Sequence, residues 1–564
     1  MADGPHTSTS PADHRRLISS ANLISRLTMA SRIFGLLRDK ICSYFLGVGT
    51  VWSAFWMGFQ IPNLFRRIFG EGALTALFVP AYTTLQMQEG REAADQFARS
   101  VLVLLLVVLS AITALGECIL LPLAFNPHLL PENRLAAGMI ALMLPYTVAI
   151  CLTAMLGAFS AVHQKFAAQS LAPITTSVLM ALAAALPALY FAAHAPLTAR
   201  IWWVALAVLA SGVVQLFMLG VSAHRCGLRW GSVTFASPAV RSIIRRMGVM
   251  IVGFSAVQIN TFLDSQIAWW FSPDGHNGAR TVHVGSLHIH LPMLAGALGK
   301  LSVAQRIYML PVGVFGVAIA TAIFPRLSKL AAESNVDELK DVLRRAFRRG
   351  LFLSLPATIG MILIAHKLIS AIYLGGHGSQ ADVNRATHAA RWFCAGIWAF
   401  ELQMILIRVF YAFHDSHTPM KVAVAAVVLN LILNLLLIWP LGVAGIAAST
   451  TASAIFQCAL LAWLLRRRIG PLQTAQMGGM LVRVAAAIIA MAASAMAADW
   501  ACNRWVRIAS HPIVGNIIGL AVMVAVAAAV YGLCARWLNI PELAHAPIIG
   551  RLSRQRSGKD NTRG

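Results

Sequence analysis

Acidic residues are scarce: 21 Asp and Glu stand against 45 Lys and Arg in 564 residues, and the four types together make up only 12% of the chain. Metal-assisted glycosyl or phosphoryl transfer at a membrane needs carboxylates gathered around the ion. The few acids here form no such cluster, which sets a membrane-bound transferase aside. No GxxxxGK[ST] phosphate loop occurs, so the chain has no ATP-binding signature of its own. The eight cysteines (Cys42, Cys118, Cys151, Cys226, Cys394, Cys458, Cys502 and Cys534) contain no CxxC pair and fall mostly inside apolar runs. They read as buried small hydrophobes rather than metal ligands or a disulfide framework. Residues 1–16 form a polar tail without the basic-then-apolar order of a cleaved leader, so the first span is expected to be retained.

What the chain has is apolar length. It is 58% hydrophobic, and a membrane span needs about 20 mostly apolar residues. Apolar segments fall near 20–47, 50–88, 95–124, 134–162, 167–192, 200–224, 240–272, 293–331, 343–373, 383–413, 418–439, 442–466, 478–500 and 512–537. The expected fold is an all-α polytopic membrane protein of about 14 transmembrane helices. Pro62, Gly70, Gly72 and Pro80 interrupt the second segment, which is expected to bend or split. The net charge of +24 does not point to nucleic acid, because most of it lies in short loops and no nucleic-acid-binding motif accompanies it. Alternate loops hold Arg225, Arg229, Arg241, Arg245 and Arg246, then Arg326 to Arg349, then Arg466 to Arg468, and the tail adds Arg551 to Arg563. By the positive-inside rule both termini are expected in the cytoplasm.

A faint internal repeat runs through the chain. Pro80 in ALTALFVP matches Pro325 in IATAIFP, His163 in FSAVHQKF matches His414 in FYAFHDSH, and Gln215 in VVQLFML matches Gln457 in IFQCALL, at offsets of 245, 251 and 242. Six spans in each half return the chain to its starting side, so the halves are expected as parallel repeats about an axis along the membrane normal. The expected domains are a tail at 1–16, an N-terminal six-helix lobe at 17–224 and a cytoplasmic linker at 225–246. A C-terminal lobe follows at 247–468 with an outer loop at 273–292, then an appended helix pair at 469–540 and a basic tail at 541–564.

The stretch from Ser25 to Gln86 is apolar enough for two spans yet carries Arg26, Arg32, Arg38, Asp39, Lys40, Arg66, Arg67 and Glu71. An arginine at a helix centre in lipid costs roughly 2.5–3.5 kcal/mol on insertion scales. Several are tolerable only where they face water, an anion or protein, which implies a wet, positively charged cavity for an anionic substrate. The phrases SRIFGLLRD and IPNLFRRIFGEGALTALFVPAY resemble the opening two helices of the MurJ/MviN lipid II flippases, of the multidrug/oligosaccharidyl-lipid/polysaccharide exporter superfamily. The likeness continues more weakly through LSVAQRIYMLPVGVFGVAIATAIFPRLSK and FYAFHDSHTPMKVAV to about Arg468.

The resemblance implies a non-enzymatic inner-membrane transporter that moves lipid II, the undecaprenyl-pyrophosphate-linked cell-wall precursor, from the inner to the outer leaflet by alternating access. Membrane lipids and the cell-wall synthesis machinery are its implied partners, with the lipid tail in a groove beside the appended spans. An exporter of another polyprenyl-pyrophosphate oligosaccharide is the alternative. A cationic-drug exporter of the superfamily fits worse, since it needs intramembrane acids to attract its cargo. Arg32, Arg38, Arg66 and Arg306 occupy the motif's cavity-arginine positions, and a guanidinium can grip a pyrophosphate through two parallel hydrogen bonds. Arg32 and Arg38 are about 240° apart on an ideal helix, so Gly35 is the expected hinge if both line one cavity. Arg67 and Glu71 are spaced to pair along a helix, and Pro62 and Asn63 are expected to bend the second span; these four residues are given structural or gating roles.

Asp264, with Asn430, Asn434 and Thr450, resembles a sodium site described for some members, and hard oxygen ligands suit that ion. The chain departs from the family pattern at Ser53, Gln60, Gln305, Met309 and Asn434, where charged residues are common, so its cavity is expected to be more purely cationic. The loop at 273–292 is longer than usual. Its RTVHV-GS-LHIHL pattern reads as a hairpin about Gly285-Ser286, with His276, His283, His288 and His290 expected to face solvent rather than hold a metal.

Overall fold

The computed structural model describes residues 11–70, 73–191, 195–235, 241, 258–276, 278–284, 286–472, 475–506 and 512–545. These divide into two compact units: residues up to 258 with 274–278, and 259–273 with 279 onward. The basic linker expected at 225–246 is described at 225–235 and 241, and the C-terminal tail expected at 541–564 only to 545.

In the first unit, α1 (Pro11–Leu46) is one long helix that starts inside the segment read as a polar tail. It is followed by α2 (Thr50–Phe65), a π-helical turn (Arg66–Gly70) and α3 (Ala73–Gln88). Then come α4 (Arg91–Phe125), α5 (Pro131–Met143), α6 (Tyr146–Val162), α7 (Ala167–Leu186) and α8 (Leu197–Arg225). Gly58 lets α2 and α5 meet backbone to backbone: a Cβ on it would sit 2.7 Å from the Met139 carbonyl carbon. Without a hydrophobic force between helices in lipid, such small-residue contacts carry much of the packing. Thr176 of α7 and Ser211 and Gln215 of α8 close a buried hydrogen-bonded cluster, with Gln215 Nε2 donating to Thr176 Oγ1 at 2.7 Å.

The second unit opens with α9 (258–270) and an antiparallel hairpin of β1 (Thr281–Val284) and β2 (Leu287–His290). Next are α10 (Ala297–Pro311), a second π turn (Val312–Gly316) and α11 (Val317–Ala332). They lead to α12 (Val336–Tyr373), α13 (Gln380–Ala395), α14 (Ile397–Ala412), α15 (His417–Leu441) and α16 (Val443–Ile469). Its core is built from Leu327 and Leu330 of α11, Leu339 and Leu343 of α12, Val409 and Phe410 of α14, and Leu461 and Leu465 of α16. The last pair, α17 (Ala475–Val506) and α18 (Pro512–Trp537), packs on α12. Pro356 inside α12 has no N–H to give the Phe352 carbonyl, and the Tyr531 hydroxyl of α18 donates to that carbonyl at 2.7 Å.

Among the described residues, nine helical spans are long and apolar enough to cross a membrane, or eleven with the bent pairs α10–α11 (42°) and α13–α14 (41°) counted as spans. The expected segments 20–47 and 50–88 are helical but outside that set, and 240–272 is described only from 258. Broad apolar surfaces stay exposed, as on α4 at Val107, Leu115 and Ile119, which is the pattern of helices solvated by lipid. The cysteine reading needs correction. Cys42, Cys151, Cys394 and Cys458 are buried, but Cys118 is exposed on α4 and Cys226, Cys502 and Cys534 are half-buried.

The repeat holds with one register correction. The two π turns are 246 residues apart, at 66–70 and 312–316. Gln164 and His414, both left-handed at φ 59° and 56°, end α6 and α14. There Lys165 N–H donates to Ser160 O and Asp415 N–H to Phe410 O, a matched helix-ending motif at an offset of 250. The structural partner of His414 is therefore Gln164, not His163.

Candidate functional site

In the first unit Arg66 and Arg67 sit where helical geometry is interrupted. Pro62 lies within α2, but the break comes four residues later, in the π turn that Arg66 opens. π turns of this kind re-aim side chains inside otherwise regular helices. The Arg66 guanidinium donates from Nε and Nη2 to Asn63 Oδ1 at 3.2 and 3.0 Å. Asn63 thus orients an arginine, and the Arg66 N–H bonds the Pro62 and Asn63 carbonyls. Arg67 Nη1 donates to Gln258 Oε1 at 3.1 Å. Glu71, its expected partner, lies outside the described residues.

On α1, Arg38 is held by its neighbour Asp39, which is buried: Nε reaches Oδ1 at 3.0 Å and Nη2 the same oxygen at 2.9 Å. Arg32 is half-buried within the same helix. α1 runs through Gly35 as continuous helix, so the hinge expected there is absent and Arg32 and Arg38 stay on different faces. Of the departures from the family pattern, Ser53 is fully buried in α2 and Gln60 is half-buried.

Arg306 belongs to the second unit, half-buried on α10. The break anticipated after Pro311 is the second π turn, so Arg306 precedes its turn by six residues while Arg66 opens its own. Between α10 and its neighbours, Tyr308 is sandwiched by Phe393 and Phe400 at 4.9 and 5.0 Å, which fixes the helix face beside Arg306.

The four residues of the second predicted constellation do come together. Asp264 of α9, Asn430 and Asn434 of α15 and Thr450 of α16 form one cluster, the first three with 1% exposure or less. Asn434 Nδ2 donates to Asp264 Oδ1 at 2.7 Å and to Asn430 Oδ1 at 2.9 Å, and Thr450 Oγ1 donates to Asp264 Oδ2 at 3.2 Å. Asn260, one turn before Asp264, adds a longer bond to Oδ2 at 3.4 Å; nothing in the sequence marked it beyond that spacing. Turned over, the Asn430 amide would reach Asn260 Oδ1 and Asp264 Oδ1, each at 3.0 Å, and accept from Thr450 N–H at 3.1 Å. Either way the carboxylate is met by neutral donors, and among the described residues no basic side chain pairs with it. Asn434 Oδ1 is buried and accepts no hydrogen bond. An orphaned amide oxygen beside a carboxylate is what an oxygen-ligated monovalent cation would complete, so the residues fit a sodium site.

The hairpin at the outer loop has the expected two-residue register, with Val284 opposite Leu287; Gly285, and with it the turn type, lies outside the described residues. His283 and His288 stand opposite each other with ring centroids 4.4 Å apart and are exposed. Among the described residues no group of three or more His, Cys, Asp or Glu is placed to hold a metal.

The family model described as lipid II flippase MurJ matches residues 42–514. A probable lipid II flippase MurJ from Rhizobium tropici is 30% identical over 490 residues, covering 83% of this chain and 86% of the relative. One from Rickettsia prowazekii is 29% identical over 451 residues, covering 79% and 83%. Among solved structures, a lipid II flippase MurJ in an inward closed conformation matches 92% of this chain and 99% of its own at 19% identity, with a TM-score of 0.69. An inward-facing multidrug MATE transporter matches 81% and 99% at 17% identity, with a TM-score of 0.61. These structural likenesses are of fold.

Proposed function

The chain belongs to the lipid II flippase MurJ family, and from that premise we propose how its own residues move the substrate. It is a multi-pass inner-membrane transporter of lipid II, not an enzyme. Arg32, Arg66 and Arg306 are the groups we assign to the substrate's pyrophosphate, as permanent cations that need no protonation step. Arg38 joins them by exchanging Asp39 for a phosphate. Transport proceeds by alternating access, both termini are cytoplasmic, and hand-over to the cell-wall synthesis machinery follows on the outer face.

One observation supports this reading above the others: in each unit an assigned arginine shares a proline-containing span with a π turn, Arg66 opening the first turn and Arg306 lying six residues before the second. A helix interrupted at membrane depth frees backbone groups that only protein or water can satisfy. Guanidinium groups belong in such a place and not against acyl chains. Asp264, Asn430, Asn434 and Thr450 are the residues that would hold Na⁺, which supplies a positive charge at an otherwise unneutralised carboxylate. The chain's part is to present that carboxylate with donors fixed by α15 and α16.

The test is complementation in cells depleted of their own flippase, with labelled lipid II followed in each leaflet. Arg32→Ala, Arg66→Ala and Arg306→Ala each abolish growth and trap lipid II in the inner leaflet at unchanged protein level. Normal growth of all three variants defeats the assignment of the arginines.

A further inference from the structure

Glu401 has no part in anything described so far. It lies in α14 within the apolar run IWAFELQMILI, is wholly buried, and neither of its carboxyl oxygens meets a hydrogen-bond donor among the described residues. Several basic groups on the elements packed around it have partners of their own, and Arg345 and Arg349 of α12 line a cavity together with Arg326 and Glu542. On α11, Arg326 pairs with Glu338 and Lys329 with Glu333. On α12, Arg348 pairs with Glu542, and on α16 Arg468 pairs with Asp415. Arg408, two turns along α14 itself, stands over the Phe324 ring. The adjoining π turn, VGVFG, has no ionisable side chain, and no described residue forms an ion pair with Glu401.

What Glu401 does touch is the break in the Arg306-bearing span. A Cβ on Gly316, the last residue of that π turn, would sit 3.2 Å from Glu401 Cγ, 3.6 Å from its Cα and 3.1 Å from Met404 Sδ. Glycine is what allows the turn to lie directly on the acid. An ionised carboxylate with neither donor nor counter-cation in a dry interior costs several kcal/mol, and the neutral acid avoids that penalty.

We propose that Glu401 is a proton-binding site coupled to the π turn at 312–316. It holds its proton while the turn is packed on it as here, and releases that proton to water when the turn rearranges and opens the contact. The step is an exchange of one proton between the carboxyl group and water, and it ties proton occupancy to the shape of the α10–α11 span. Among the described residues, Glu401 is the one acid with both carboxyl oxygens buried and without a hydrogen-bond partner.

The transport arm of the test rests on the function proposed above; the spectroscopic arm does not. In the full-length protein in lipid at neutral pH, infrared difference spectra of wild type against Glu401→Gln should contain the carbonyl stretch of a protonated carboxylic acid, shifting in D₂O. Glu401→Met, similar in size and without polar atoms, gives the same loss and covers the case in which a buried glutamine disturbs folding. No such band in wild type overturns the proposal. In proteoliposomes loaded with lipid II, wild-type transport should change several-fold between about pH 6 and about pH 8, since one carboxyl can alter its ionised fraction about tenfold per pH unit. Both variants should lose that dependence. Variants that titrate like wild type also overturn the site, whereas absence of lipid II transport by the wild type would count against the function and leave the infrared result to decide Glu401.

Discussion

Asn434 decides how the polar cluster behaves. Its Nδ2 is doubly engaged while its Oδ1 has no donor, so the amide braces Asp264 and leaves one ligand position unfilled. A ligand that binds only the folded state stabilises it by RT ln(1 + [L]/Kd), about 2.7 kcal/mol at a hundredfold excess over Kd. Thermal unfolding in lipid or detergent should therefore move upward in NaCl relative to an equal concentration of choline chloride. Asp264→Ala should abolish the difference, and Asn434→Asp, which adds a second carboxylate, should enlarge it. Equal unfolding temperatures of wild type in both salts retire the sodium reading. Asp264, Asn430 and Thr450 were legible from the sequence because they match a family pattern, and Asn434 because it fills a position of that pattern where an acid is common. Asn260 was not, since an asparagine one turn from an acid carries no signal of its own. Glu401 was missed for a related reason: a search for clustered acids passes over a single one in an apolar run.

At the scale of elements, the information that is hard to read is what repairs a broken helix. Pro356 in α12 announces a lost hydrogen bond, yet the Phe352 carbonyl it leaves is repaired by Tyr531, 179 residues after Phe352 in the chain. Tyr531→Phe leaves the Phe352 carbonyl buried without a donor, which costs roughly 1–3 kcal/mol. Chemical or thermal unfolding should register that loss, with amide exchange rising first in α17 and α18; an unchanged stability shows the carbonyl is satisfied another way. The π turns were equally hidden, because an apolar run reads alike whether its backbone is α or π, and Pro62 pointed to a bend four residues early. A second junction responds to acid. Asp415, between α14 and α15, is pushed up by burial, but the Thr418 N–H and hydroxyl and the Arg468 guanidinium outweigh this and hold its carboxyl below the usual range. A depressed carboxyl stabilises the fold above its unfolded value, near 4, and that contribution is lost as pH falls through the lower folded value. Amide exchange at 413–418, corrected for intrinsic rate, should stay constant from neutral pH down to about 4 and accelerate below. Arg468→Ala should leave that onset in place and weaken the acceleration below it, because the folded value then lies nearer the unfolded one.

For the whole molecule, the spacing of apolar runs foretold the helices well, since each run is mainly helical where it is described, although 50–88, 134–162, 293–331 and 383–413 each divide into two helices. The repeat was legible to within a residue, because helix ends and span breaks recur even where side chains do not. What composition adds is the sign of the charge: 45 basic against 21 acidic residues and, by family, a pyrophosphate-bearing lipid as cargo. Moving an anion outward across a membrane that is negative inside is favoured by about 2.3 kcal/mol per charge per 100 mV, or roughly 50-fold in its distribution between leaflets. The guanidinium groups proposed to hold it would stay with the protein and so would not cancel the charge that is carried. If lipid II crosses with its phosphates uncompensated, a potassium–valinomycin potential imposed on proteoliposomes should shift the leaflet ratio by that factor for each net charge. If Na⁺ at Asp264 or a proton at Glu401 travels with it, the slope falls by one charge for each ion. Measuring the slope in wild type, Asp264→Ala and Glu401→Gln then assigns the charge ion by ion. Removing a site that carries an outward-moving cation must steepen the dependence, and an identical slope in all three means that neither site contributes charge to the transport step.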